Sequence, residues 1–333
     1  GISWKVYQDM ADNFSDNPLV GFRSFREAFA NDPSSPLVTK GLSTTLTDDT
    51  LDGLRADVLA GTLPSVSWIV GPAAYSEHPG PSSPIQGAHY VQQVLEALTA
   101  DPAVFSKTVL LVTFDENDGF FDHVPPPCAP SRRLNGTLAG ASTADDTGER
   151  HLDGSGDFLA GSPYGPGVRV PMWVVSPFSR GGWVNSETFD HTSIIRFLEE
   201  RFGVIEPNIS AYRRAVTGNL RSAFNFTTPN EDPLPVLPSM TRDEADMIRS
   251  DQELLAAVPI PVDDAGRLPT QTPGTRPSRR LPYMLTVKST IDTGDGTVTL
   301  RFDNDGEVGA VFHVYDKTNL YDYPRRYAVE SRK

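Results

Sequence analysis

One segment limits the fold more than any other. Thr108-Val109-Leu110-Leu111-Val112-Thr113-Phe114 is a continuous apolar, β-branched run, followed at once by Asp115-Glu116-Asn117-Asp118-Gly119. Such a run has none of the in–out alternation of a half-exposed strand. It predicts a strand covered on both faces, central in a parallel or mixed sheet, with a carboxyl end where the polarity changes. Ile2 to Tyr7, Leu63 to Gly71 and Val168 to Ser176 are further short apolar runs of strand length. Between them lie helical patterns at Phe22 to Ala30, Ser43 to Gly61, Ile85 to Leu98 and His191 to Phe202. In the second of these, Thr47-Asp48-Asp49 is the expected cap, and Leu51, Leu54, Val58 and Leu59 form its apolar side. Strand and helix alternating at these spacings predict an α/β architecture with a covered sheet.

The pattern then changes twice. A long polar, glycine-rich stretch from Pro125 to about Gly167 is expected to be a lid or an ordered excursion. Residues 206–280 are proline-rich with one helix near Thr241 to Ala256, which suggests a linker wrapped on the first domain. From Leu281, Tyr283–Val287, Gly296–Phe302 and Ala310–Tyr315 alternate as strands do. The turns 293–296 and 303–306 suit hairpins between them. We therefore expect a domain over 1–230, a linker over 231–280 and the start of a small all-β domain over 281–333. The chain opens on Gly1, directly at a strand, and stops with few strands for a closed β domain. We expect it to be a processed or truncated product.

Composition narrows the partners. There are 29 Lys and Arg against 43 Asp and Glu, a net charge of −14, which repels phosphate backbones and argues against nucleic acid. It argues equally against broad attachment to anionic lipid, but not against a zwitterionic head group. A single cysteine, Cys128, rules out an internal disulfide and lies in a proline-rich loop, where an incidental thiol is expected. No apolar run approaches transmembrane length.

The chemistry concentrates at strand ends. Asp115 and Glu116 are adjacent carboxylates at a strand's carboxyl end, the edge where ligands bind in open α/β sheets. They read either as ligands for a hard divalent cation or as a solvated acidic turn. The runs at Asp115–Asn117 and Asp303–Asp305 lack the sixth-position glycine of an EF-hand. His78, in Ser76-Glu77-His78-Pro79, follows another expected strand. If that strand neighbours Thr108–Phe114, His78 and Asp115 share one sheet edge. There a histidine can meet a phosphoryl oxygen or protonate a leaving group; otherwise it is a plain loop residue. His123 either stands behind the carboxylates, oriented by Asp122, or is an ordinary loop histidine. His191 precedes a helix that Asp190 or Thr192 can cap. His89, His151 and His313 carry no assigned role. Trp68, Trp173, Trp183, Tyr75 and Tyr90 are expected in the core, with one or more available as a cation–π wall. No serine sits in a Gly-x-Ser-x-Gly elbow; Gly154-Ser155-Gly156 is a loop triplet. No P-loop or dinucleotide fingerprint is present.

Several of these segments together resemble the bacterial phosphocholine-preferring phospholipases C, in the phosphoesterase group that also holds certain acid phosphatases. The matching segments are Gly1-Ile2-Ser3-Trp4-Lys5-Val6-Tyr7-Gln8, Ser76-Glu77-His78-Pro79, and the run from Thr113-Phe114-Asp115-Glu116 through Asp122-His123-Val124. Arg169 to Pro177 and Asp190-His191-Thr192-Ser193 match as well. The resemblance implies an alkaline-phosphatase-like α/β fold with helices on both faces of the sheet, followed by the start of a small all-β domain. It implies hydrolysis of phosphatidylcholine or sphingomyelin, at a membrane surface, to phosphocholine plus diacylglycerol or ceramide. It implies a divalent metal on Asp115 and Glu116 and a phosphoryl contact from His78. It further implies an upstream Glu-Asn metal motif, an upstream hydroxyl nucleophile and an upstream export signal, hence a secreted or periplasmic protein. A phosphomonoesterase on the same scaffold and a non-catalytic phosphocholine-lipid-binding fragment are the alternatives.

Overall fold

The computed structural model describes residues 1–46, 50–152, 159–259, 270, 273–319 and 324–332. In chain order the first elements are β1 (Trp4–Tyr7), α1 (Arg23–Asn31), α2 (Pro36–Gly41), α3 (Asp52–Leu59), β2 (Val66–Ile69), α4 (Pro84–Thr99) and α5 (Pro102–Phe105). Then come β3 (Leu110–Thr113), β4 (Gly140–Ser142), β5 (Met172–Val175), α6 (His191–Phe202), α7 (Ala211–Val216) and α8 (Arg242–Glu253). The chain closes with β6 (Leu285–Asp292), β7 (Thr297–Asn304), β8 (Ala310–Val314) and β9 (Arg325–Val329). Helices alternating with short strands, then a run of strands, give the α/β class with a β-rich C-terminal part.

The chain divides into two units, and the first joins Gly1–Leu110 to Glu231–Gly274. Its strands β1 and β2 pair in parallel, with Trp4 opposite Val66 and Tyr7 opposite Ile69. A parallel pair needs a long crossover, which α1 to α3 provide. Leu54 and Val58, one helical turn apart on α3, are fully buried, as is Tyr7 on β1. Burying each such aliphatic side chain is worth about 1.5–3 kcal/mol. The Tyr7 hydroxyl donates to Asp57 Oδ2 at 2.6 Å, and Lys5 Nζ reaches the same oxygen at 2.8 Å. Burial, then Asp57, drives the Tyr7 phenol far above its usual range. Helix α4 buries Gln86, His89, Tyr90, Val94, Ala97 and Leu98, at the three- and four-residue spacing of one helix face. Helix α8 packs against α4. A capping box starts α8: Thr241 accepts from Glu244 N, and the Glu244 side chain accepts from Thr241 N. The buried His89 donates Nδ1–H to Met240 O at 2.9 Å, and Gln86 donates to Asp246 Oδ1 at 2.7 Å.

The second unit joins Leu111–Asn230 to Thr275–Lys333. Here β3 pairs with β5, and β4, β9 and β8 form a three-stranded sheet in that order. Strand β4 runs parallel to β9, with Gly140 opposite Arg326, and β8 runs antiparallel to β9. Gly140 has φ +128°, and a Cβ there would stand 1.8 Å from Arg326 O, so only glycine fits this close approach. Ala129, Ala144, Tyr212, Val216 and Ala328 form one buried cluster, with Ala215 and Val311 packed against it. The glycine-rich excursion, α7 and the C-terminal strands therefore share a core. Strands β6 and β7 form a hairpin closed at 293–296, with Asp292 opposite Thr297.

Several expectations change. The expected helix over 43–61 is α3, Asp52–Leu59, and Leu51 opens it as an N-cap without a side-chain hydrogen bond. The Thr47-Asp48-Asp49 cap lies outside the described residues, as does Gly154-Ser155-Gly156. The expected central strand, β3, is half-buried and has β5 as its partner in a two-stranded ladder among the described residues. Strand β2 pairs with β1, and β3 pairs with β5. The turn at 303–306 does not close a hairpin, because β8 pairs with β9 instead of β7. Gly306 N donates to Asn304 Oδ1 there, a local side-chain turn. Trp68, Trp173 and Trp183 are 48%, 52% and 45% exposed, so they are not core residues, whereas Tyr75 and Tyr90 are buried. A strand sends alternate side chains to opposite faces, and a two-stranded ladder leaves one of those faces open.

Candidate functional site

In the first unit, the parallel β1–β2 pair brings two carboxyl ends to one edge, and the loops leaving them touch. The loop after β1 is built on buried amides. Asn17 donates to Gln8 Oε1 at 3.0 Å and to Gly41 O at 2.7 Å, and Asn13 donates to Gln8 Oε1 at 3.1 Å. Asp12 Oδ1 accepts from Ala73 N at 3.0 Å, which ties this loop to the one after β2. Phe14 lies against the His78 ring with centroids 4.7 Å apart. His78 is thus at the carboxyl edge of a parallel pair, exposed to solvent. Its Nδ1 is 2.9 Å from Pro79 O. A carbonyl only accepts, so Nδ1 carries the proton and Nε2 is the nitrogen left for a ligand.

In the second unit, Asp115 and Glu116 follow β3 and are exposed. Asp115 Oδ1 accepts from Glu116 N at 3.0 Å. Asp115 O accepts Nε2–H of His191 at 2.9 Å. The turn beyond them is closed on itself: Phe120 N donates to Asn117 O at 2.8 Å, and Asn117 Nδ2 donates to Phe120 O at 2.6 Å. Asp122 then anchors it. Arg169, just before β5, donates both Nε and Nη2 to the Asp122 carboxylate. The backbone N–H groups of His123 and Val124 donate to Asp122 Oδ1 at 2.7 and 3.2 Å. Arg169 first, then these N–H groups, hold the Asp122 carboxyl well below the usual carboxylate range. The side chain of His123 is 71% exposed, with Nδ1 3.4 Å from Asp122 Oδ1.

His191, given no role from sequence, is the residue that the structure adds. It opens α6, where Asp190 is the N-cap and forms a capping box with Ser193. Asp190 Oδ2 also accepts from Arg213 Nη1 at 2.9 Å, and Arg213 Nε reaches Glu149 Oε2 at 3.0 Å. Both carboxylates are buried, and breaking such a pair on one side strands the other charge. The start of α6, and with it His191 beside Asp115, is therefore firmly placed. The Asp-His-Thr-Ser run is the signal in the sequence that marks this corner.

Backbone strain gathers at these loops. Five non-glycine residues have positive φ among the described residues: Phe14 (+53°), Ser15 (+64°), Glu77 (+65°), Asp118 (+48°) and Leu220 (+67°). Four of them flank His78 or follow Glu116. Each such residue costs of order 1 kcal/mol, and strain of this kind clusters at functional sites.

The donor chemistry at Asp115 and Glu116 suits a hard divalent cation, which takes oxygen ligands, commonly six or more. Among the described residues, no group of three or more His, Cys, Asp and Glu is placed to hold a metal. The two carboxylates thus fit such an ion as part of a ligand set. Cys128 is buried, and burial pushes its thiol up from the usual range, which suits the incidental loop thiol expected.

The Phosphoesterase family matches residues 1–205, and the chain belongs to that family. The bacterial phospholipase C, C-terminal domain, matches residues 277–333. The chain is 57% identical to a non-hemolytic phospholipase C of Pseudomonas aeruginosa, over all of this chain and 46% of that protein. It is 45% identical to a non-hemolytic phospholipase C of Burkholderia pseudomallei, over all of this chain and 49% of that protein. It is 38% identical to a hemolytic phospholipase C of Pseudomonas aeruginosa, over 91% of this chain and 40% of that protein. The chain spans about half the length of the curated relatives it matches, or less. No helix among the described residues is long and apolar enough to cross a membrane.

Proposed function

We propose that this chain is part of a phospholipase C that cleaves the glycerol–phosphate or ceramide–phosphate bond of phosphocholine lipids. The observation that carries this reading is the 57% identity, along the whole chain, to a protein named as a phospholipase C. The Asp115-Glu116 pair at the end of β3 and His78 at the edge of β1–β2 supply groups suited to that chemistry. The protein acts outside the cytoplasm, on lipid at a membrane surface. In domain terms, residues 1–230 belong to the catalytic part, 231–280 connect, and 281–333 begin a β-rich part.

A divalent cation held partly by Asp115 and Glu116 would neutralise phosphoryl charge and acidify a hydroxyl nucleophile supplied from outside these 333 residues. The remaining work falls to side chains of this chain. His191 Nε2 fixes the Asp115 carbonyl, and Asp122 with Arg169 fixes the turn, so the two carboxylates are held in place before a ligand arrives. His78, with Nδ1 committed to Pro79 O, offers Nε2 to the phosphoryl group. When protonated there, it can donate to a phosphoryl oxygen or pass the proton to the departing alkoxide. Phe14 covers one side of its ring and limits its rotation. The nucleophile's oxygen would bond to phosphorus as the P–O bond to the lipid alkoxide breaks, and water would then cleave that phosphocholine ester, releasing phosphocholine and restoring the hydroxyl.

The test compares hydrolysis of p-nitrophenyl phosphorylcholine and p-nitrophenyl phosphate, with and without chelator, by the protein at the full length of its relatives. Chelator-sensitive turnover of the phosphorylcholine ester, lost in Asp115→Asn together with bound metal, is the expected result. Preference for p-nitrophenyl phosphate would indicate a phosphomonoesterase. Binding of phosphocholine liposomes without product would indicate a binding module. An Asp115→Asn variant with unchanged metal content and rate would overturn the ligand assignment.

A further inference from the structure

We infer that Arg249 is a positioning residue for His78. Its guanidinium, delivered from α8, holds the loop that presents the imidazole. The inference rests on the reading of His78 given above. Arg249 Nη1 donates to Pro81 O and to Gln86 Oε1, the latter at 3.1 Å, and Nη2 donates to Gly80 O. Nε donates to Glu253 Oε1 at 2.9 Å, one turn along α8. The side chain is 21% exposed, so most of this fork is taken out of water.

The reason lies in the sequence His78-Pro79-Gly80-Pro81. Proline fixes φ at positions 79 and 81, so of residues 79–81 only Gly80, the swivel of the segment, has a free φ. Gly80 has φ +115°, nothing lies within 4 Å of where its Cβ would be, and the backbone bond across the segment, Ser82 N to His78 O at 3.1 Å, leaves the Gly80 and Pro81 carbonyls to be held from outside. Arg249 holds both. Upstream of the swivel is Pro79, whose carbonyl takes the Nδ1 proton of His78. The orientation of that carbonyl sets which nitrogen His78 presents. The grip is itself braced: Gln86, nearly fully buried, accepts from Arg249 and Ser83 Oγ and donates to Asp246 Oδ1. Arg242 adds a cation–π contact over Tyr75, 5.6 Å from its centroid, at the start of the same loop. A planar fork reaches these acceptors together; a lysine ammonium, a point charge, cannot reproduce the two-carbonyl grip.

The experiment uses the protein at the full length of its relatives and measures kcat and KM on p-nitrophenyl phosphorylcholine. The variants are Arg249→Ala, Arg249→Lys, His78→Ala and the Arg249→Ala/His78→Ala double, with Asp251→Asn, at an exposed position of α8, as control. Misplacing a reacting group by about 1 Å costs on the order of 100-fold. Arg249→Ala should therefore lower kcat by roughly 10- to 100-fold with KM within about twofold. Arg249→Lys should recover part of the loss, and Asp251→Asn should match the parent. The double variant should be no slower than His78→Ala, because a residue that acts through His78 has nothing to position once His78 is gone. Losses that multiply in the double variant would assign Arg249 a purely structural role and overturn the inference. So would an unchanged kcat in Arg249→Ala beside an impaired His78→Ala. Full turnover in His78→Ala would instead remove the reading of His78 itself. If Arg249→Ala fails to fold, the Arg249→Lys and Arg249→Lys/His78→Ala pair carries the same comparison.

Discussion

Replacing Asp122 by Asn should destabilise the turn that carries Asp115 and Glu116 by an amount that depends on pH in a defined way. Asn keeps the shape and can still accept from the N–H groups of His123 and Val124. It loses the charge that Arg169 grips with two donors, and its amide N–H₂ faces one of those donors. Hydrogen bonds to a charged partner contribute about 1.5–3 kcal/mol each. The Asp122 side chain is 10% exposed but that of Arg169 is 63% exposed, so solvent screens the pair and a total of about 2 kcal/mol is reasonable. With an unfolding entropy of about 2.1 cal/mol/K per residue over 333 residues, the melting temperature should fall by roughly 3 °C at pH 7. The native Asp122 carboxyl lies well below its ordinary value of 3.8. Its contribution is therefore complete above that value and is lost as pH falls through the range toward the native one. The gap between parent and variant should be constant from about pH 5 to 8 and should narrow below about pH 4. Thermal melts of both proteins across pH 3 to 8 measure this directly. No gap at pH 7, or a gap that is undiminished at pH 3, would refute the ion-pair account.

Two further substitutions test the fold. Gly140→Ala places a Cβ against Arg326 O at a φ that costs a non-glycine residue about 1–3 kcal/mol, so the β4–β9 pairing should loosen. Hydrogen exchange at 139–143 and 325–329 should speed up together, and unchanged exchange in both segments would contradict the register. Leu54→Ala empties a fully buried site and should cost about 2–5 kcal/mol in denaturant unfolding; a loss under about 1 kcal/mol would mean that α3 does not sit on the core.

Much of the local structure was legible along the chain. The helix at His191 to Phe202 was expected with Asp190 or Thr192 as its cap, and the structure has those bounds, with Asp190 as the N-cap and Gly203 at φ +69° ending it. The helix near Thr241 begins at its capping box. Strands β3 and β5 were visible as apolar runs, and the turn at 293–296 announced its hairpin. Caps, periods and tight turns are interactions over four or five residues, so a short window of sequence contains their cause. The family followed from Thr113 to Val124 and the matching segments around it.

What the sequence did not reveal was pairing across long separations. Gly140-Ala141-Ser142 has no strand pattern; it is a strand because Arg326, Tyr327 and Ala328 of β9 lie beside it. Strand β9 is rich in arginine and was missed for the same reason: its partners, not its own apolar content, define it. The Asp303–Gly306 turn looked like a hairpin, and only the pairing of β8 with β9 decided otherwise. At the candidate site the sequence supplied the chemically capable groups, His78, Asp115, Glu116, Asp122 and His123. The tertiary structure alone tied His191 to the Asp115 carbonyl, Arg169 to Asp122, and Arg249 to the swivel beside His78. Each of those contacts joins residues tens to more than a hundred positions apart. Their existence depends on how helices and strands pack in space, which no local pattern encodes.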